Sequence, residues 1–254
     1  MKLYEYGKDN AEGIVLIHPS LVTWDYFEYV IPLLEKDYHL FIPALPGYDL
    51  TDDSQFTSVE QIAGELAEDL LRRGARRVKA FYGCSMGGSI VLRMAADRRV
   101  QAAHWILDGG ITPYQLPWLL TRFIALRDFG MMALGKLGGE KLIVKAFSST
   151  EFSEEDMKYL ANIFRHCSYR TLWNTFDSCN NYRIPRPVGQ LPGTVHYWYA
   201  EKEEKARALD LKYMRKFVPD TQFRVFRGMD HGDMALFYPD RLSEALRTLD
   251  GAGG

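Results

Sequence analysis

The sequence predicts an α/β fold: a mostly parallel central sheet flanked by helices, with a helical cap inserted between two of its strands. Three observations predict it. Short apolar runs of strand length alternate with helical patterns along most of the chain. The central runs, such as Ile14-Val15-Leu16-Ile17, are apolar at every position, as strands covered on both faces are. The alternation lapses once, between Thr112 and Pro192, where helical patterns follow one another without a strand.

Taken in order, strands are expected at residues 2–6, 14–17, 39–42, 78–83, 104–107, 194–199 and 222–226, each bounded by glycine, proline or charge. Residues 58–72 predict a helix, because Val59, Ile62, Ala63, Leu66, Leu70 and Leu71 form one apolar stripe. The inserted stretch predicts helices at 115–127, 153–167 and 168–179. Its aromatics and methionines, including Trp118, Phe123, Met131, Met132, Trp173 and Phe176, are expected to form mostly the core of the cap, with some facing a pocket. The run Ile184-Pro185-Arg186-Pro187-Val188-Gly189-Gln190-Leu191-Pro192 reads as an extended return linker, and residues 205–216 predict a further helix. The expected organisation is a core of residues 1–111 and 191–250, a cap of 112–190 and a frayed tail at 251–254.

A chain of 254 residues is ordinary for one domain of this class. Hydrophobic residues at 47% and charged residues at 25% exclude a disordered, collagen-like or disulfide-dense chain. With 31 basic and 33 acidic side chains the net charge is -2, so nucleic acid is not expected as a partner and a small, weakly charged ligand is. The N-terminal stretch carries charges at Lys2, Glu5, Lys8, Asp9 and Glu12, unlike a secretory signal, and no run of about 18 apolar residues is free of charge or proline. A cytoplasmic protein without a membrane partner is expected. Cys84, Cys167 and Cys179 are odd in number and lack metal-ligand spacing, so neither disulfides nor zinc are expected.

The chemistry concentrates in Gly83-Cys84-Ser85-Met86-Gly87, which follows a strand pattern and leads into Ile90, Val91, Met94 and Ala95 at helical spacing. A serine on a sharp strand-to-helix turn needs neighbours without bulk two positions away on each side, and Gly83 and Gly87 supply them. Ser85 is therefore the candidate nucleophile, and it needs a base. Of six histidines, His39, His104 and His196 sit in strand patterns, His166 lies in the inserted helices, and His18 ends an early strand. His231 instead occupies a loop, Gly228-Met229-Asp230-His231-Gly232-Asp233, after the last strand, and is the candidate base. In the chain order Ser, acid, His, the orienting carboxylate is expected after the strand at 194–199. Glu203 is favoured there, with Asp108 at the end of the strand after the turn as the competitor and Glu201 and Glu204 as further alternatives.

Through Ile14-Val15-Leu16-Ile17-His18, Pro43-Ala44-Leu45-Pro46-Gly47-Tyr48, the Gly83–Gly87 turn and Gly228-Met229-Asp230-His231-Gly232, the chain resembles the α/β-hydrolase superfamily, as a capped, esterase-like serine hydrolase. The resemblance implies a nucleophile elbow at Ser85 and an oxyanion hole built from the backbone N–H of Met86 and of Ser20 or Leu21. One departure is His18-Pro19-Ser20, where many relatives read His-Gly: proline has no N–H to give, which leaves Ser20 or Leu21 as the second donor. The resemblance further implies hydrolysis of a small-molecule carboxylic ester or thioester, with an apolar or aromatic acyl substrate and no cofactor. The same residue set also serves carbon-carbon bond or amide hydrolysis and acyl transfer, and a ligand-binding module with incidental hydrolysis is the alternative of another class. Cys84 is expected to fill a core position, and Arg72, Arg73, Arg76 and Arg77 a solvated helix end.

Overall fold

The computed structural model describes residues 1–113, 116–147, 153–185 and 191–251. Among them, seven strands form one sheet: β1 (Lys2–Tyr6), β2 (Gly13–Ile17), β3 (His39–Ala44), β4 (Arg77–Cys84), β5 (Gln101–Asp108), β6 (Thr194–Ala200) and β7 (Gln222–Phe226). Their order is β1-β3-β2-β4-β5-β6-β7; β1 runs antiparallel at the edge and the other pairings are parallel. The helices are α1 (Ile31–Leu34), α2 (Val59–Arg72), α3 (Met86–Asp97), α4 (Trp118–Phe147), α5 (Glu154–His166), α6 (Tyr169–Asn181), α7 (Ala208–Phe217), α8 (Asp233–Phe237) and α9 (Pro239–Arg247).

Continuous apolar runs become strands buried on both faces. In β2, Val15 and Ile17 join a core with α2 and α3, while Ile14 and Leu16 join a second core with α1, α8 and α9. The chain crosses from β2 to β3 on one side and to β4 on the other, so strand order reverses between β2 and β4. The carboxyl ends of two such strands leave a crevice where their loops part. His18 leaves β2 and Ser85 leaves β4 at that point.

The predicted strands are all present, extended by one to four residues where pairing continues beyond the apolar run, as at Gln101–Asp108. The inserted helices start where serine caps them: Ser153 makes a reciprocal capping box with Asp156, and the Ser168 hydroxyl accepts from the Thr171 N–H. Two expectations need correction. The first inserted helix does not end at 127 but runs through Phe147, since no proline interrupts it and a helix tolerates glycines such as Gly130 and Gly135 at about 1 kcal/mol each. The expected start at Gln115 lies outside the described residues, as do 186–190 of the return linker and 252–254 of the tail.

Trp118, Phe123 and Met131, expected inside the cap, are 64%, 68% and 54% exposed. α4 packs on α5 and α6, and these three residues lie on its side that no described element covers. Its inner side does pack: Phe129 meets Trp173 edge to face at 5.4 Å, and Met132 lies against Met157, Ala161 and Phe164. The Tyr48 hydroxyl bonds Thr175 Oγ1 at 2.8 Å, and Asn174 Nδ2 donates to the Phe56 carbonyl at 2.9 Å, so α6 is hydrogen-bonded to the sheet domain. No described helix is long and apolar enough to cross a membrane.

A Cβ added at Gly87 would stand 2.3 Å from the Ile17 carbonyl oxygen, whereas one at Gly64, in the middle of α2, meets nothing within 4 Å. Thermal denaturation should therefore separate two formally identical changes: Gly87→Ala is expected to lose about 3 kcal/mol or more, and Gly64→Ala to gain about 0.5–1 kcal/mol by restricting the unfolded chain.

Candidate active site

Ser85 stands between β4 and α3 with φ 53 and ψ -114, a conformation that a residue with a Cβ adopts only when its surroundings impose it, at about 1–3 kcal/mol. Here the imposition comes from backbone packed on backbone. A Cβ at Gly83 would stand 2.3 Å from the Gly87 carbonyl group, and one at Gly88 would stand 2.5 Å from Gly110 Cα. The Ser85 N–H donates to the Asp108 carbonyl at 2.8 Å, tying the turn to the end of β5. Met86 opens α3, where the first N–H groups have no acceptor within the helix. Cys84, beside the serine, is fully buried, and burial pushes its thiol well above the usual range.

The carboxyl end of β2 supplies the facing loop. His18 is buried, with Nδ1 2.7 Å from the Pro19 carbonyl oxygen, and its Nε2 accepts the Leu45 N–H at 3.3 Å. A neutral ring protonated on Nδ1 satisfies both contacts, and burial lowers its pKa to about 4. Because a trans peptide points its C=O and N–H in opposite directions, a Pro19 carbonyl held on His18 turns the Ser20 N–H away from that ring. Leu21 follows at φ 67 and packs against Met157, Ala161 and Phe164.

Glu203 ends a 3-10 turn, Glu201–Glu203, directly after β6. It is 6% exposed; its Oε1 accepts the Ala200 N–H at 2.9 Å and its Oε2 lies 2.5 Å from His231 Nδ1. Burial alone would raise its pKa, but the His231 hydrogen bond and charge, the Ala200 N–H and Arg207 together hold it below the usual carboxylate range. An ionised carboxylate only accepts, so neutral His231 carries its proton on Nδ1 and keeps the lone pair on Nε2. The His231 side chain remains 39% exposed. Its loop is held by Asp230 Oδ1, which accepts the His231 N–H at 2.7 Å, and by the Tyr26 hydroxyl, which donates to the Gly232 carbonyl at 2.7 Å.

Of the other acids weighed from sequence, Glu204 is exposed and two are engaged elsewhere. Asp108 is buried and accepts from the Tyr82 hydroxyl, and Glu201 accepts the Gly228 N–H at 3.0 Å. Asp108 still borders the site, since its own carbonyl holds Ser85 and the next residue, Gly109, lies under the Glu203–His231 pair. A Cβ at Gly109 would stand 2.8 Å from both Glu203 Oε2 and His231 Nδ1. Ser85 and His231 thus both abut the Asp108–Gly109 segment. Gly109 is a position that sequence reasoning passed over; the Gly109-Gly110 pair at the end of a strand was the available signal.

Burial raises the Asp108 pKa to about 7, against 3.8 for an ordinary aspartate. A raised folded-state value makes a contribution to stability that is complete below the unfolded value and is lost as pH climbs through the folded one. Asp108→Asn keeps an acceptor for Tyr82 and removes the charge. Denaturant unfolding should show it stabilised at pH 8, by about 4 kcal/mol at most, and nearly unchanged at pH 4; the same difference at both pH values would contradict a carboxyl that titrates across this interval.

The sequence profile of the alpha/beta hydrolase family matches residues 14–245. Among solved structures the chain is similar to an alpha/beta hydrolase family protein from Desulfitobacterium hafniense, at 23% identity and TM-score 0.77 over 98% of this chain and 99% of that one. It is also similar to MenH from S. aureus, at 17% and 0.78 over 98% and 97%, and to the esterase EaEST from Exiguobacterium antarcticum, at 15% and 0.77 over 98% and 95%. At these identities the likeness is one of fold. Since the family profile spans both the Ser85 elbow and the His231 loop, the chain belongs to the alpha/beta hydrolase family.

Proposed function

We infer that the protein is a serine hydrolase that cleaves a small-molecule carboxylic ester or thioester through Ser85, His231 and Glu203. The observation that carries this reading is the 2.5 Å contact between His231 Nδ1 and a buried Glu203 held below the usual carboxylate range, packed on Gly109 next to the Asp108 carbonyl that holds the positive-φ Ser85. His231 Nε2 takes the Ser85 proton as Oγ attacks the acyl carbon, and Glu203 stabilises the imidazolium that forms. The oxyanion is received by the Met86 N–H at the start of α3, where the helix dipole favours negative charge, and by the Ser20 N–H. His231 then protonates the leaving alcohol or thiol. Water, deprotonated by the same imidazole, releases the acid from Ser85.

The inserted helices act as a cap in this reading. Leu21 of the oxyanion loop packs, as Met132 and Leu160 do, against the cluster of Met157, Ala161 and Phe164, so the acyl side of the site has an apolar boundary that suits an apolar or aromatic acyl group better than a charged one.

A fluorophosphonate probe tests the nucleophile directly. Labelling is expected in the wild type and in Cys84→Ala and is expected to vanish in Ser85→Ala; labelling that survives Ser85→Ala would remove the serine from its role. Turnover of p-nitrophenyl esters of graded chain length should fall at least about a hundredfold in Glu203→Gln with folding intact, and an unchanged rate would transfer the orienting role to Asp108.

A further inference from the structure

Glu203 does not hold its position through His231 alone. Arg207, one helical turn further on and 17% exposed at its side chain, sets Nε 3.8 Å from Glu203 Oε2 while its Nη1 reaches Asp210 Oδ2 at 3.4 Å and donates to the Gly109 carbonyl at 3.3 Å. Its backbone N–H donates to the Glu203 carbonyl at 3.0 Å, closing the turn that carries both residues. Asp210, wholly buried, is itself fixed from the other side: its Oδ1 accepts the Thr112 N–H at 2.7 Å and the Thr112 hydroxyl at 2.9 Å. Thr112 lies just after β5, where the chain leaves the sheet for the inserted helices.

We propose that Arg207 is a positioning residue for the acid of the triad, held over Glu203 by Asp210 and Gly109. This rests on the serine-hydrolase reading above. A guanidinium cannot give up its proton, and its flat fork spans several acceptors at once. It faces two buried carboxylates, and a buried carboxylate without a counter-charge is neutralised or displaced rather than tolerated. With Arg207 in place, Glu203 stays ionised and its Oε2 stays on His231. The ionisable groups around Glu203 are His231 from the loop before α8, Arg207 and Asp210 on the α7 side, Asp108 from β5 and the Cys84 thiol from β4; Tyr82 and Asp233 act on Asp108. Sequence reading had one signal for Arg207, its i,i+4 spacing from Glu203.

The test is a proton NMR titration of the hydrogen-bonded His231 imidazole N–H, identified by its loss in His231→Gln, run beside p-nitrophenyl acetate kinetics. Removing a positive charge raises a neighbouring pKa, and removing a negative one lowers it. In Arg207→Gln the titration midpoint and the acid limb of kcat/KM should both move up by about one pH unit, with kcat down about tenfold or more and KM nearly unchanged. Arg207→Lys should restore much of the midpoint, and Asp210→Asn should move it down. If Arg207→Gln does not fold, the opposite displacement in Asp210→Asn still decides. An unmoved midpoint in the folded variants overturns the proposal, as does activity lost only in proportion to thermal stability. Absence of ester turnover in a wild type whose resonance responds as described would instead overturn the hydrolase reading and leave the role of Arg207 standing.

Discussion

The site depends on how closely three backbones approach one another. Gly83, Gly87 and Gly88 let the start of α3 lie on the end of β4, on the carbonyl that ends β2 and on Gly110 after β5, at distances where a side chain does not fit. Ser85 is caught in the middle of this contact, and its positive φ is the geometric result. The energy stored there is small beside the packing of the two cores that flank the sheet, so the strain persists. The same approach puts the β2 loop, with its buried His18, next to the helix whose N-terminus can receive an anion.

Around this corner the chain buries several carboxylates and separates them by environment. Asp108 sits among the Tyr82 hydroxyl and apolar side chains, and its proton is held to about pH 7. Glu203, only a strand away, is held ionised by an imidazole, a backbone N–H and a guanidinium. Carboxyl groups pushed apart in this way take different roles, and the one that stays charged is the one able to orient and stabilise an imidazolium. Gly109 lets the two lie close, since any side chain there would occupy the space of the Glu203–His231 contact.

Strands and elbow were legible in the sequence because their signals are local. Runs such as Ile14-Val15-Leu16-Ile17 state their own burial, and Gly83-Cys84-Ser85-Met86-Gly87 states its own turn. The carboxylate that meets His231 was less legible: Glu201, Glu203 and Glu204 crowd one short stretch, and only the 3-10 turn decides that Glu203 points inward while Glu201 reaches Gly228. The inserted helices were read least well. Apolar content signals burial only if another element is present to provide it, and among the described residues none covers Trp118 and Phe123 of α4. Gly109 meets Glu203 and His231 from about 90 and 120 residues away, which no window of sequence displays, whereas Arg207 is within a helical turn of Glu203 and only its contact with the Gly109 carbonyl is long-range.

A crystal structure of the protein reacted with a small alkyl phosphonate would test the central claim most directly. The expected result is a covalent bond from phosphorus to Ser85 Oγ, with the phosphoryl oxygen within about 2.7–3.1 Å of the Met86 and Ser20 nitrogens and His231 Nε2 turned toward Oγ. An adduct on another residue, or a phosphoryl oxygen directed away from α3 with the imidazole out of reach of Ser85, would contradict it.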